Sequence, residues 1–226
     1  MALKMPAVSG GGNYDPAPEG NHVAVCFAAI DFGTQPPTFP GATEHKRIVY
    51  IGWELPDEKT SDGRPFTIGK QYTYSSHPKS TLRRDLEAWR GKKFSDSEIE
   101  DFDIAKLIGA GCMIGIVHTE KQVGQYLNTY ANISTVAKLP RGVTAPKLVN
   151  KPVEFSLDDP DWDVFDGLRD WMKEKIQQAP EYREAAGFPA KQEVSTAAKA
   201  NVSEFPVRGS APLITTDLDL NDDVPF

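Results

Sequence analysis

Between residues 22 and 140 the spacing of apolar residues changes twice, and no other feature limits the fold as much. In His22–Phe32 it has the two-residue period of a strand, with Val23, Val25, Phe27 and Ala29 on one face. Gly33 and Pro36-Pro37 should end this strand. In His45–Leu55 the alternation puts Arg47, Val49, Ile51 and Trp53 on one face and Lys46, Ile48, Tyr50 and Gly52 on the other. The stretch Pro56–Gly63 reads as a charged connection, and Arg64–Ser75 as a third strand with Phe66, Ile68, Lys70, Tyr72 and Tyr74 in phase. The period then becomes helical. Leu82, Leu86 and Trp89 fall at i, i+4 and i+7, and Gly91 stops the helix. Ser95 with Glu98 forms a capping box for a second helix, expected to reach Ile108 and stop at Gly109. Cys112–His118 and Gln125–Ala137 return to strand periodicity, joined by a turn near Val123-Gly124. Leu139-Pro140 closes the block.

The flanks have a different texture. Residues 1–21 are Gly- and Pro-rich and predict a disordered N-terminal arm without the apolar core of a secretory signal. Residues 141–186 form a Pro-punctuated extension. It is expected to carry one helix over about residues 162–178, with Phe165, Leu168, Trp171, Met172 and Ile176 as its stripe. Residues 187–216 read as a flexible linker and residues 217–226 as an acidic tip. Charge follows the same division. Residues 1–153 hold 18 basic and 16 acidic residues, whereas residues 154–226 hold 7 and 16. A mildly basic body with an acidic trailing part suits a nucleic-acid binder that recruits proteins through its tail. Cys26 and Cys112 lie in apolar runs and are expected to be buried, reduced thiols of a cytoplasmic protein. No apolar run approaches the 18 residues of a membrane span.

Three strands, two helices and two strands is the arrangement of a five-stranded OB-fold barrel with a two-helix insertion between strands 3 and 4, although other small barrels or a split α+β sheet share it. Binding single-stranded DNA without sequence preference needs cations along the phosphates and flat side chains under the bases. Strands 2 and 3, the usual OB-fold binding face, offer Lys46, Arg47, Tyr50, Trp53, Phe66, Lys70, Tyr72 and Tyr74. Strand 5 adds Tyr126 and Tyr130. Arg90, Lys92 and Lys93, at the end of the first helix, are phosphate candidates, while Lys79, Arg83 and Arg84 are as readily a solvated helix face. Strand periodicity requires about half of the aromatics to be core.

The tip Asp217, Asp219, Asp222, Asp223, Val224, Pro225 and Phe226 is too acidic to fold alone. Its last five residues resemble the C-terminal tip of bacterial single-stranded DNA-binding proteins. That resemblance implies docking of replication, recombination and repair proteins. The alternative is a solubilising acidic tail. The block from Tyr72 through Trp89-Arg-Gly-Lys, Phe94, Glu98 and Phe102 to Cys112 and Asn132-Ile133 looks like bacteriophage replication proteins that bind single-stranded DNA. This likeness implies a host-cell cytoplasm. It lacks the ordinary bacterial pattern, so a tetramer is not implied and a homodimer is the candidate assembly.

Enzymatic readings find less in the sequence. His22, His45, His77 and His118 form no HxH or HExxH pair, and His22, Cys26, Cys112 and His118 lack a CxxC spacing for zinc. No Walker A or dinucleotide-binding glycine pattern occurs. Asp159, Asp161, Asp163 and Asp170 imitate a calcium loop, but Val164 stands where that loop needs glycine. The expectation is therefore a non-enzymatic protein with no cofactor, no metal and no membrane partner. The alternatives are an adaptor that mimics the host tip and a metal-dependent nuclease using residues such as Asp31 and Glu54.

Overall fold

The computed structural model describes residues 15–38, 41–124 and 126–187, the side chains of Val123 and Tyr126 excepted. The protein is mainly β. Five long strands, β1 (Gly20–Gln35), β2 (Lys46–Lys59), β3 (Pro65–Thr73), β4 (Gly111–Val123) and β5 (Tyr126–Ala137), lie in the order β3-β2-β1-β4-β5. Their pairings are all antiparallel. A short strand, β6 (Val153–Phe155), completes the six-stranded sheet by pairing in parallel with Ala28–Ile30 of β1. Among the described residues no ladder joins β3 to β5, so the sheet is open along that seam.

β1 belongs to two cores because of a bulge. Cys26 faces Trp53, but Ala28 faces Gly52, leaving Phe27 as the extra residue. An extra residue reverses which side chains point to which face. The single face expected for Val23, Val25, Phe27 and Ala29 is therefore broken. Ala24 and Cys26 point into the first core, and Ala28, Ile30 and Phe32 into the second. The first core gathers Val49, Ile51, Trp53 and Leu55 of β2, Cys112, Ile114 and Ile116 of β4, Ile133 and Val136 of β5, and the helical residues Leu82, Leu86 and Trp89. The second lies on the opposite face, with Phe155, Leu157, Phe165, Leu168, Met172, Ile176 and Ala179. Gly33 does not end β1. It is a bulge residue at φ 68°, and a Cβ there would stand 2.5 Å from that of Ala179. β2 likewise runs through Pro56, where the ladder becomes irregular between Leu55 and Lys59.

Helix α1 (Thr81–Arg90) has the boundaries its sequence predicts. Ser80 accepts from the Arg83 N–H, and Gly91, at φ 73°, donates to the Glu87 carbonyl. Helix α2 (Asp96–Glu100) begins with the expected Ser95–Glu98 capping box but does not reach Ile108. Asp103 is extended and caps the Ala105 N–H, so the chain restarts as a 3₁₀ turn over Ile104–Leu107. The helix expected over 162–178 is also two pieces, α3 (Trp162–Asp166) and α4 (Asp170–Gln178), followed by an unforeseen α5 (Pro180–Ala185). Arg169 takes extended backbone angles between the pieces. Met172 and Ile176 are buried in phase with Phe165 and Leu168, while Trp171, off that stripe, is 41% exposed. The extension thus packs on the sheet. At the N-terminal side, Ala17 is buried and its carbonyl bonds to His118 Nε2 at 2.8 Å, so residues 17–21 of the expected arm belong to the folded body, and its residues 1–14 lie outside the described residues. No helix among the described residues is long and apolar enough to cross a membrane.

Candidate nucleic-acid interface

The inner face of strands 2 and 3 is buried, and the outer face is partly covered, with Gln71 and Thr73 exposed. Register places Trp53 opposite Ile68 and Val49 opposite Tyr72, so these side chains turn into the first core. Trp53 is fully buried against Trp89, with ring centroids 5.7 Å apart, and Tyr72 is 3% exposed. Neither offers an open face to a base, which corrects their placement among the stacking candidates. Phe66 is half-buried against the same core. The Lys70 ammonium sits 2.8 Å from Asp85 on α1, and the Tyr72 hydroxyl donates to the same carboxylate at 3.1 Å. Burial, with the Asp85 charge beside it, pushes the Tyr72 pKa far above its ordinary value. Lys70 is thus engaged within the protein.

On the opposite face, Tyr50 stacks on Phe32 with centroids 5.8 Å apart and meets the edge of Trp171 at the same separation. Its ring lies over Gly69, the residue in β3 that leaves room for it. Lys175 of α4 donates to Gln71 at 2.5 Å. α4 thus covers Tyr50 and part of the outer β2–β3 face, and nothing in the two-residue alternation of β2 foretold that cover.

Lys46, Arg47 and Tyr74 lie at the rim. Lys46 pairs with Glu44 at 3.1 Å. Arg47 grips Asp31 through Nε at 3.2 Å and Nη2 at 2.6 Å, and Asp158 at 2.8 Å. Asp31 also accepts from the Gly33 and Leu157 backbone N–H groups. Tyr74 is 45% exposed, with its ring centroid 5.9 Å from the Arg47 guanidinium. The adjoining cavity, about 100 Å³, is lined by Asp31, Asp103, Glu154 and Asp158 with Arg47 as its cation. Four carboxylates around one already paired guanidinium make it a poor host for phosphate.

A group of cations lies at the end of α1, where Arg90 and then Lys92 lower the pKa of Glu98, and the Phe94 N–H and then Lys93 lower that of Glu87. Arg90 pairs with Glu98 at 2.8 Å and covers the Phe94 ring. Arg83 is buried, bound to Glu87, Asp96 and the Ser76 and Phe94 carbonyls, and is a structural group. Lys92 and Lys93 are exposed and form no ion pair among the described residues, and the same holds for Lys138 and Arg141. β5 brings Lys138 to this end of α1. Its backbone N–H donates to the Ala88 carbonyl at 3.0 Å, and a Cβ on Gly91 would stand 2.8 Å from its Cδ. The negative end of the α1 dipole favours cations here. Lys138 escapes a sequence reading because its proximity to Gly91, next to Lys92, exists only after β5 has paired.

Beyond Ile116 and Ile133 the β4–β5 hairpin leaves the core. It exposes Val117 (40%), Tyr130 (42%) and Leu127 (62%). The Tyr126 side chain and the tip residues Asp217, Asp219, Asp222, Asp223, Val224, Pro225 and Phe226 lie outside the described residues. Among the described residues no three His, Cys, Asp or Glu side chains are grouped as for a metal ion. Burial pushes the Cys26 thiol up to about 12 and the Cys112 thiol higher still, so both are neutral core groups. No protein-family model matches the chain, and no curated protein matches its sequence.

Proposed function

We propose that the protein binds single-stranded DNA without sequence preference, as in phage replication, recombination or repair, and recruits partner proteins through Asp217–Phe226. The observation that carries this reading is the approach of Lys138 to the end of α1, beside Lys92 and Lys93, which brings cations from two distant segments together. Phosphates would track this set. Tyr130 and Tyr74 are the exposed aromatics to which bases could stack. The strand order β3-β2-β1-β4-β5, with helices between β3 and β4 and one core shared by all five strands, supports an OB-type barrel partly open between β3 and β5. The interface proposed here is displaced from the β2–β3 face toward the end of α1, because α4 covers part of that face. The acidic tip has the chemistry to dock on basic partner surfaces and to compete with phosphate for the same cations.

The partly covered β2–β3 face gives the adaptor reading its own support, since a protein-only adaptor would leave nucleic acid unbound. Fluorescence anisotropy with labelled oligo-dT at two salt concentrations tests both. The expected result is binding that weakens steeply with salt. No binding at low salt would refute the DNA reading and leave the adaptor. Strand cleavage on adding Mg²⁺ or Mn²⁺ in the same tube would instead reveal a nuclease.

A further inference from the structure

β6 pairs on one side with Ala28–Ile30, and among the described residues no strand pairs with its other edge. A groove of about 520 Å³ lies between β6 and the 3₁₀ turn, with Ile108, Phe155 and Val164 as apolar walls. It adjoins the smaller cavity at Arg47, sharing Ala105, Glu154, Phe155 and Ser156 with it. Its rim is acidic. Glu154, Asp159 and Asp161 line it, and among the described residues no basic side chain does, although Lys106 and Lys151 are close in sequence. Asp161 caps α3. Glu154 and Asp159 are exposed and have no ion pair or side-chain hydrogen bond among the described residues.

We infer that this groove takes an extended, basic segment of a partner protein, which adds to β6 as a further strand. A strand added to a free edge gains main-chain hydrogen bonds, and its alternate side chains fall beside those of its neighbour. Along β6 those neighbours alternate in character: Val153 and Phe155 pack toward the second core, and Glu154 is exposed. A segment with apolar residues beside Val153 and Phe155, and Arg or Lys beside Glu154, satisfies both. Charge selects this occupant over the others. Unpaired carboxylates repel phosphate, so nucleic acid does not fit. They equally repel an acidic segment such as residues 217–226, and a net charge of −7 disfavours a second copy. This inference does not rest on nucleic-acid binding.

The test is fluorescence anisotropy of a labelled heptapeptide of alternating Arg and Val. The full chain is titrated to about 500 µM at about 0.15 M salt, which reaches the weak affinities of so small an interface. The expected result is saturable binding, at least fivefold tighter than that of a heptapeptide of alternating Arg and Ser. Glu154→Lys combined with Asp159→Lys is expected to weaken binding at least tenfold with unchanged circular dichroism, because both positions are exposed. Hydrogen exchange provides the second measurement: protection of residues 153–155 should rise with added peptide at fixed protein concentration. Absence of saturable binding, equal binding of the Arg–Ser peptide, or an affinity kept by the variant, as for a peptide held by the acidic tip alone, would each overturn the proposal. So would protection of β6 that rises with protein concentration in the absence of peptide, which would mark a second copy as the occupant.

Discussion

Replacing Ile176 by Ala tests whether the C-terminal helices are part of the folded body. Ile176 is fully buried in the second core, on the inner side of α4. The change removes three carbons, which at about 0.8 kcal/mol for each buried methylene is roughly 2.4 kcal/mol of transfer free energy. Partial relaxation of the site adds a cavity cost on the order of 1 kcal/mol. The better helix propensity of Ala returns about 0.4 kcal/mol. The net loss is about 3 kcal/mol, or a drop in thermal midpoint of roughly 6–12 °C for a body of this size. Differential scanning calorimetry should show one transition moved down by that amount, while Lys173→Ala on the same helix should move it by less than about 0.5 kcal/mol. A shift below 1 kcal/mol, or a separate early transition that leaves the sheet intact, would refute the packing argument. The DNA affinity of the Ile176 variant, measured below its transition, should equal that of the wild type if the interface lies at the end of α1 and not under α4.

Other outcomes follow from the site and its surroundings. Changing Lys92, Lys93, Lys138 and Arg141 together to Ala should flatten the dependence of log affinity on log salt by about 3, at roughly 0.7 for each lost contact with single-stranded phosphate; an unchanged slope would place the interface elsewhere. Tyr130→Ala should weaken oligo-dT binding by about 1–3 kcal/mol if a base stacks there, read in the same anisotropy assay. Removing Phe226 should abolish capture of partner enzymes while leaving DNA affinity equal or higher, and a marked loss of affinity would contradict the tail's assignment. Burial opposes ionisation of Glu181, but hydrogen bonds from the Thr34 hydroxyl at 2.5 Å and backbone N–H at 3.0 Å outweigh it, so its pKa is held below the ordinary glutamate value. The resulting stability is present above the unfolded-state pKa of about 4.3 and is lost as pH falls through the folded value. Glu181→Gln should remove that part of the acid limb in urea titrations at stepped pH.

The sequence by itself determined the five long strands, helix α1 and the start of α2. Two-residue alternation in β2, the Leu82–Leu86–Trp89 stripe, the Ser95–Glu98 capping box and the Gly91 stop are local, and local sterics and hydrogen bonding decide them. It could say that Trp53 shares a face with Val49 and Ile51, and Tyr72 one with Phe66 and Ile68, but not that these faces are the inner ones, because either face of an alternating strand can be the wet one until something packs on it. Tertiary structure made that choice. The bulge at Phe27 reversed β1 between two cores, and α4 packed into the second of them. Pairing of β5 then carried Lys138 to the end of α1. A bulge costs the chain one unpaired residue and leaves almost no local trace, and a cluster of cations from distant segments leaves none, since each lysine alone reads as solvated surface.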